Sequence, residues 1–185
     1  PTVRRLSTPS EGATITHLLS NGRYAVMLTA TGAGYSRWHD VAVTRWREDA
    51  TNDDCGSFVF LRDRSSGVVW SPGAQAETGD AGSEVVFGED RAEFIRRDGA
   101  LTTVMEVLVS AEDDSEVRRV SVINGGRTAR EIDVTSYAEL VLTTPAADNA
   151  HPAFAKLFIQ TDHLPEFGAL IATRRPRSPD EPRVW

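Results

Sequence analysis

Between positions 131 and 142, apolar and polar residues alternate one by one, and this limits the available folds more than any other pattern in the chain. Ile132, Val134, Ala138, Leu140 and Leu142 fall on one face, and Asp133, Thr135, Tyr137 and Glu139 on the other. A period of two is the signature of a strand with one buried face. Positions 101–109 and 116–123 are rich in Val and Thr and read the same way. Shorter strand candidates are 23–30, 58–62, 68–70, 84–87, 92–96, 154–160 and 169–173. Asn21-Gly22, Ser66-Gly67, Asp98-Gly99 and Asn124-Gly125-Gly126 separate them with residues that tolerate positive φ. Many short strands joined by hairpin turns predict an all-β fold, an antiparallel β-sandwich, as a single domain over 1–185. No long helical stripe competes, although the composition of 145–155 permits a helical turn.

With 185 residues, the chain is long enough for one domain with a real core. Its net charge of -7 argues against nucleic acid as a partner. A single cysteine, Cys55, excludes an internal disulfide framework and a Cys-rich zinc site. It precedes Gly56 at a strand start, where an inert, buried thiol is expected. No apolar run approaches the ~18–20 residues of a membrane-spanning helix, and the first residues lack the apolar stretch of a signal peptide. The chain begins with Pro1, which suggests a piece of a longer protein. The most loop-like stretches are 72–83 and the proline-punctuated 174–183.

The residues that speak to chemistry cluster after Gly32. A turn containing Gly32 and Gly34 presents Tyr35, Arg37, Trp38, His39 and Asp40. Aromatic faces suit the C–H faces of a sugar ring, and Arg and Asp suit its hydroxyls. This is a surface for a carbohydrate, or for a carbohydrate plus an anion. The simpler alternative buries Trp38 in the core and leaves Arg37 on a solvated face. A second cluster, Arg45, Trp46 and Arg47, is followed by Glu48 and Asp49. It reads as a cross-strand ion-pair ladder on a solvated face, or as a support that anchors segment 32–40 or docks a neighbouring domain.

Asp40, Glu48, Asp49, Asp53 and Asp54 make carboxylates abundant here, but sequence proximity does not place two of them across a glycosidic bond. No catalytic residue is assigned. The four histidines are His17, His39, His151 and His163, and no metal motif joins them. Asp148, Asn149 and His151 are the nearest approach to a ligand set, and no metal is assigned. Gly32-Ala33-Gly34 lacks the third glycine and the βαβ setting of a dinucleotide fingerprint.

The ordered motifs GYSRW, TRWRED, GSFVFLRD, GVVWSPG, LTTVMEVLVS, SEVRRVSVIN, TSYAELVL, HPAFAKLFIQT and ATRRPRS lie between Gly34 and Ser178, within a resemblance that spans about Leu18 to Pro182. In this order they resemble the N-terminal β-sandwich domain of the inverting glycoside phosphorylases of the cellobiose and chitobiose phosphorylase group. Within that group they are most similar to the phosphorylase-like region of cyclic β-1,2-glucan synthases. Ala33-Gly34 stands where the family often has two glycines, and Arg37-Trp38 replaces two aromatic residues of cellobiose phosphorylases.

The resemblance implies a supersandwich of mutarotase-like architecture, truncated at its C-terminal side, with Val184-Trp185 starting a further strand. It implies a non-catalytic domain that shapes the sugar pocket of a glucan-active glycosyltransferase or phosphorylase. The sugar-binding residues would be Tyr35, Arg37, Trp38, His39 and Asp40, supported by Arg45, Trp46 and Arg47. The partners implied are a β-glucan or oligosaccharide, a C-terminal helical barrel carrying the acid, and a second copy in a homodimer. No cofactor is implied, and inorganic phosphate would be the parent's co-substrate. A cytoplasmic setting is expected, with any inner-membrane anchor of the parent outside this chain. The alternatives are a free-standing carbohydrate-binding module and a mutarotase-like epimerase, the latter needing a His and a carboxylate in one cleft.

Overall fold

The computed structural model describes residues 3–6, 15–47, 54–73, 82–177 and 184. More than half of these lie in antiparallel strands, as the alternation predicts. The strands are β1 (Arg4–Leu6), β2 (Thr16–Ser20), β3 (Tyr24–Thr29), β4 (Gly34–Trp38), β5 (Val41–Thr44), β6 (Ser57–Asp63), β7 (Val69–Trp70) and β8 (Gly82–Phe87). They continue as β9 (Ala92–Asp98), β10 (Leu101–Val109), β11 (Glu116–Asn124), β12 (Ile132–Ala138), β13 (Leu140–Thr143), β14 (Ile159–Leu164) and β15 (Ala169–Arg174). Helices α1 (Pro145–Ala150) and α2 (Pro152–Lys156) interrupt the last third. No helix of the described residues is long and apolar enough to cross a membrane.

Two five-stranded sheets carry the architecture. One runs β1-β8-β9-β10-β11 and the other β13-β5-β4-β3-β2. A three-stranded sheet, β12-β6-β7, and the hairpin β14-β15 complete it. The inward face of β10 supplies Leu101, Thr103, Met105 and Val107; that of β3 supplies Tyr24, Val26 and Leu28. These meet Leu61, Trp70, Phe87 and Phe94 in one core. Trp70 is tied there by its indole N–H, which donates to the Thr103 hydroxyl at 2.9 Å, so the buried polar atom is satisfied.

Polar side chains fasten the sheets to one another. Ser36 Oγ of β4 donates to Glu116 Oε2 of β11 at 2.6 Å. Arg118 binds that carboxylate at 2.9 Å and donates to the Ser57 carbonyl of β6 at 2.7 Å. Glu116 thereby links elements of all three larger sheets.

Three local expectations are corrected. Positions 131–142 are two strands in different sheets: β12 pairs with β6, and β13 with β5. A register shift between Leu140 and Thr143, with Leu142 at φ 50°, breaks the alternation. Such a bulge re-aims the side chains that follow it, and Val141 is 1% exposed; Val134, on β12 at the edge of another sheet, is 59% exposed. Positions 154–160 are not one strand: α2 occupies Pro152–Lys156, with proline in its first turn, where no amide partner is lost. Segment 32–40 is not a loop but β4 with tight turns at either end. Gly34 makes this possible. At φ 151° its Cβ would lie 1.8 Å from the Met27 carbonyl oxygen, so only glycine fits where β4 crosses β3.

Val184 forms an isolated antiparallel bridge with Arg174. Trp185 and most of 72–83 and 174–183 lie outside the described residues.

Candidate functional site

On β4 the inward Ser36 is buried, while Tyr35 and Arg37 point the other way. After β5 the chain leaves the sheet as Arg45-Trp46-Arg47. Opposite stands α1, whose first turn is capped by the Thr144 hydroxyl accepting from the Ala147 N–H at 3.3 Å. Between β4, β5 and α1 lies a pocket of about 330 Å³. Tyr35 and Trp46 are two aromatic members of its lining, edge to face with ring centroids 6.1 Å apart. Arg37 and Arg47 also line it, as do Pro145 and Asn149 from α1.

One buried ion pair joins the two sides of the pocket. Arg45 Nε and Nη2 donate to Asp148 Oδ2 and Oδ1 at 2.8 and 2.6 Å, and Nη1 donates to Glu139 Oε1 at 2.6 Å. Nη2 also reaches the Pro152 carbonyl at 3.3 Å, and Lys156 pairs with Glu139. The Asp148 hydrogen bonds push the guanidinium pKa up against the opposing effect of burial. The expectation of a solvated ion-pair ladder is therefore corrected for Arg45. It is 6% exposed, and its partners come from β13's flank and α1. Glu48, Asp49 and Asp53 lie outside the described residues.

The eight residues singled out from sequence divide into two groups. Tyr35, Arg37, Arg45, Trp46 and Arg47 line the pocket. Trp38, His39 and Asp40 do not. Trp38 is neither core nor pocket: it is 40% exposed, and its indole N–H donates to Asp114 Oδ2 at 2.7 Å. That bond and the one from Arg23 hold the Asp114 carboxyl below the usual carboxylate range. His39 stacks edge-on against Trp38, their ring centroids 4.7 Å apart. Asp40 is 93% exposed and meets Arg37 at 3.2 Å. Arg37 spans the two groups, since its Nε also donates to the His39 carbonyl at 2.7 Å.

Sequence reasoning missed Ala42, Thr44, Pro145, Asp148 and Asn149 as pocket residues. Asp148 and Asn149 stood out only as fragments of a metal site; both Asp148 oxygens accept from Arg45. The signal available was Pro-Ala-Ala-Asp-Asn after Thr144, a helix start that projects a carboxylate toward a partner unknown from sequence. Cys55 is buried, and burial pushes its thiol pKa up, which suits an inert thiol.

Layered antiparallel sheets with little helix are consistent with a supersandwich domain. The whole chain, residues 1–185, matches the glycosyl hydrolase 94 supersandwich domain, and it belongs to that family. It is 44% identical, over its full length, to the cyclic beta-(1,2)-glucan synthase NdvB of Rhizobium meliloti (strain 1021), covering 6% of that protein. It is 26% identical to the N,N'-diacetylchitobiose phosphorylase of Vibrio furnissii over 78% of this chain and 19% of that enzyme. It is 24% identical to the Vibrio proteolyticus enzyme of the same name over 96% of this chain and 25% of that enzyme. The chain thus spans between 6% and a quarter of the length of these curated relatives.

Proposed function

We propose that this chain is a non-catalytic accessory domain of a glucan-active glycosyltransferase or glycoside phosphorylase, one that makes or trims cyclic β-1,2-glucan. Its pocket forms part of the surface that holds the sugar. The observation that carries this reading is the pairing of Tyr35 with Trp46 in a pocket of about 330 Å³. Two aromatic faces next to hydrogen-bonding side chains match the C–H faces and hydroxyls of a pyranose. Similarity over the full chain to a cyclic beta-(1,2)-glucan synthase supports glucan as the parent's polymer. The parent's acid belongs to a helical barrel elsewhere in the polypeptide, and phosphate is the parent's co-substrate.

The epimerase alternative requires a histidine and a carboxylate converging in one cleft. Neither His39 nor His151 lines the pocket, and its carboxylate, Asp148, is engaged by Arg45. The accessory-domain reading is tested in the full parent enzyme with Tyr35→Ala. Glucan turnover at low substrate should fall about tenfold, as expected for the loss of roughly 1–3 kcal/mol of well-packed contact. Unchanged turnover would contradict it.

A further inference from the structure

His17 occupies a place that the alternation of β2 reserves for an apolar side chain. Along β2 and the residue before it, Ile15, His17 and Leu19 share the inward face, and His17 is the polar one. Leu19 belongs to the core and Ile15 packs against it. Leu28, opposite His17 on β3, is buried in the same core.

β2 ends one five-stranded sheet and β1 ends the other. His17 lies where these two edges meet. Its ring stacks on Phe87 of β8, with centroids 4.8 Å apart and planes 14° from parallel. Arg4 of β1, the register partner of Phe87, lies over the same phenyl ring at 5.4 Å. Arg4 Nη2 is 3.2 Å from His17 Nδ1 and donates to the Thr16 carbonyl at 3.1 Å. Imidazole, guanidinium and phenyl ring thus tie the edge of one sheet to the edge of the other.

A guanidinium only donates, so Nδ1 is the acceptor and the proton of the neutral imidazole sits on Nε2. Nε2 is buried and makes no hydrogen bond of good geometry among the described residues. Protonation of Nδ1 would aim an N–H at Arg4 and set two like charges a hydrogen bond's length apart. The other neighbours do not offset this. β8 contributes Phe87, β3 contributes Leu28, and the turn after β8 contributes the Gly88 backbone. Arg5 points to the opposite face of β1, where it meets Glu84 at 2.9 Å. Burial first, and then the Arg4 charge, hold the imidazole pKa below its ordinary value, partly offset by the Gly88 backbone. A histidine shifted this way contributes stability that is whole above about pH 6.5 and is lost as the pH falls below it.

We infer that His17 and Arg4 form an acid-sensitive clasp: protonation of His17 expels the guanidinium, and β1 leaves β8 while the two sheets stay folded. β1 is suited to local release. It is three residues long, pairs only with β8, and its residues are exposed or half-buried. Its departure opens the β8 edge, whose unpaired backbone groups can then take another strand.

The test is hydrogen exchange of the 185-residue chain at about pH 7.5 and about pH 5, either side of the ordinary histidine value. Rates are corrected for intrinsic exchange, and the His17 ring is titrated by NMR alongside. Amides of β1 and β8 should lose protection several-fold at the lower pH, while those of β10 keep theirs. The His17 ring should titrate below the ordinary histidine value. His17→Gln keeps an acceptor for Arg4 and cannot titrate, so β1 should be held equally at both pH values. Arg4→Gln removes the opposing charge and should raise the His17 pKa, which a purely packing role would not do. Protection of β1 that ignores pH, a His17 that titrates at or above its ordinary value, or a pH response that survives His17→Gln would overturn the clasp. Loss of protection in β1 and β10 together would also overturn it, because the acid response would then be global unfolding. If His17→Gln does not fold, the Arg4→Gln titration decides, and an unmoved His17 pKa overturns the inference.

Discussion

Arg45 and Asp148, 103 residues apart in sequence, meet through two hydrogen bonds of 2.6 and 2.8 Å with both side chains almost fully buried. This pair joins the end of β5 to α1, and those two elements frame the pocket. Removing one member leaves an almost fully buried charge without its main partner. Asp148→Ala should cost about 3–5 kcal/mol, toward the lower end because Glu139 still contacts Arg45. Replacing both residues by leucine should recover much of that loss. Urea denaturation of the single and double variants measures both effects.

Gly34 should tolerate no side chain. Its Cβ would collide with the Met27 carbonyl at 1.8 Å, so Gly34→Ala must shift β4 off β3. A loss of more than about 3 kcal/mol is expected, enough to lower the yield of folded protein. Gly22 provides the control: it also has positive φ, at 91°, but nothing lies within 4 Å of its Cβ. Gly22→Ala should cost only about 1 kcal/mol of backbone strain. Thermal melts of the two variants separate steric exclusion from conformational preference.

Tyr24 should make stability pH-dependent in the alkaline range. Burial, and then the charge of Glu116, push its pKa up to about 12 from an unperturbed 10. The folded protein therefore keeps a proton that the unfolded chain releases. The contribution is complete below pH 10 and is lost as the pH rises through about 12, falling by up to about 1.4 kcal/mol per pH unit. Melting temperatures recorded from pH 9 to 12 should decline more steeply for the native chain than for Tyr24→Phe.

β11 ends one five-stranded sheet, and β12 ends the three-stranded sheet. Val117, Val122 and Ile123 are exposed on β11, as are Val134 and Tyr137 on β12. Unpaired edges with apolar side chains recruit other strands. The isolated chain should self-associate, and Ile123→Lys should reduce this in light scattering.

Much of the fold could be read from the sequence because a half-buried strand writes its burial into every second residue. β10 and β11 are recovered within a residue of their bounds. β4 was read as a loop because Gly-Tyr-Ser-Arg-Trp has no apolar alternation: its inward residue is Ser36, which is satisfied by Glu116 from a distant strand. The pocket was half readable for a related reason. Tyr35, Arg37, Trp46 and Arg47 are neighbours in sequence and chemically conspicuous. Asp148 and Asn149 enter on α1, tied to the pocket by a long-range ion pair from Arg45 to Asp148 that no local pattern reports. Trp38 does not share the pocket with Tyr35 because the two are three residues apart, an odd offset that puts them on opposite faces of β4.

The sharpest test of the pocket compares two tryptophans in the full parent enzyme. Trp46 lines the cavity, whereas Trp38 lies outside it, bonded to Asp114. Measured side by side, Trp46→Ala should raise KM for glucan about tenfold, the scale of a lost well-packed contact, with the melting temperature lowered by only a few degrees. Trp38→Ala should leave KM unchanged. If KM rises for Trp38→Ala and not for Trp46→Ala, or if Trp46→Ala simply unfolds the domain, the pocket is not where this domain meets the sugar.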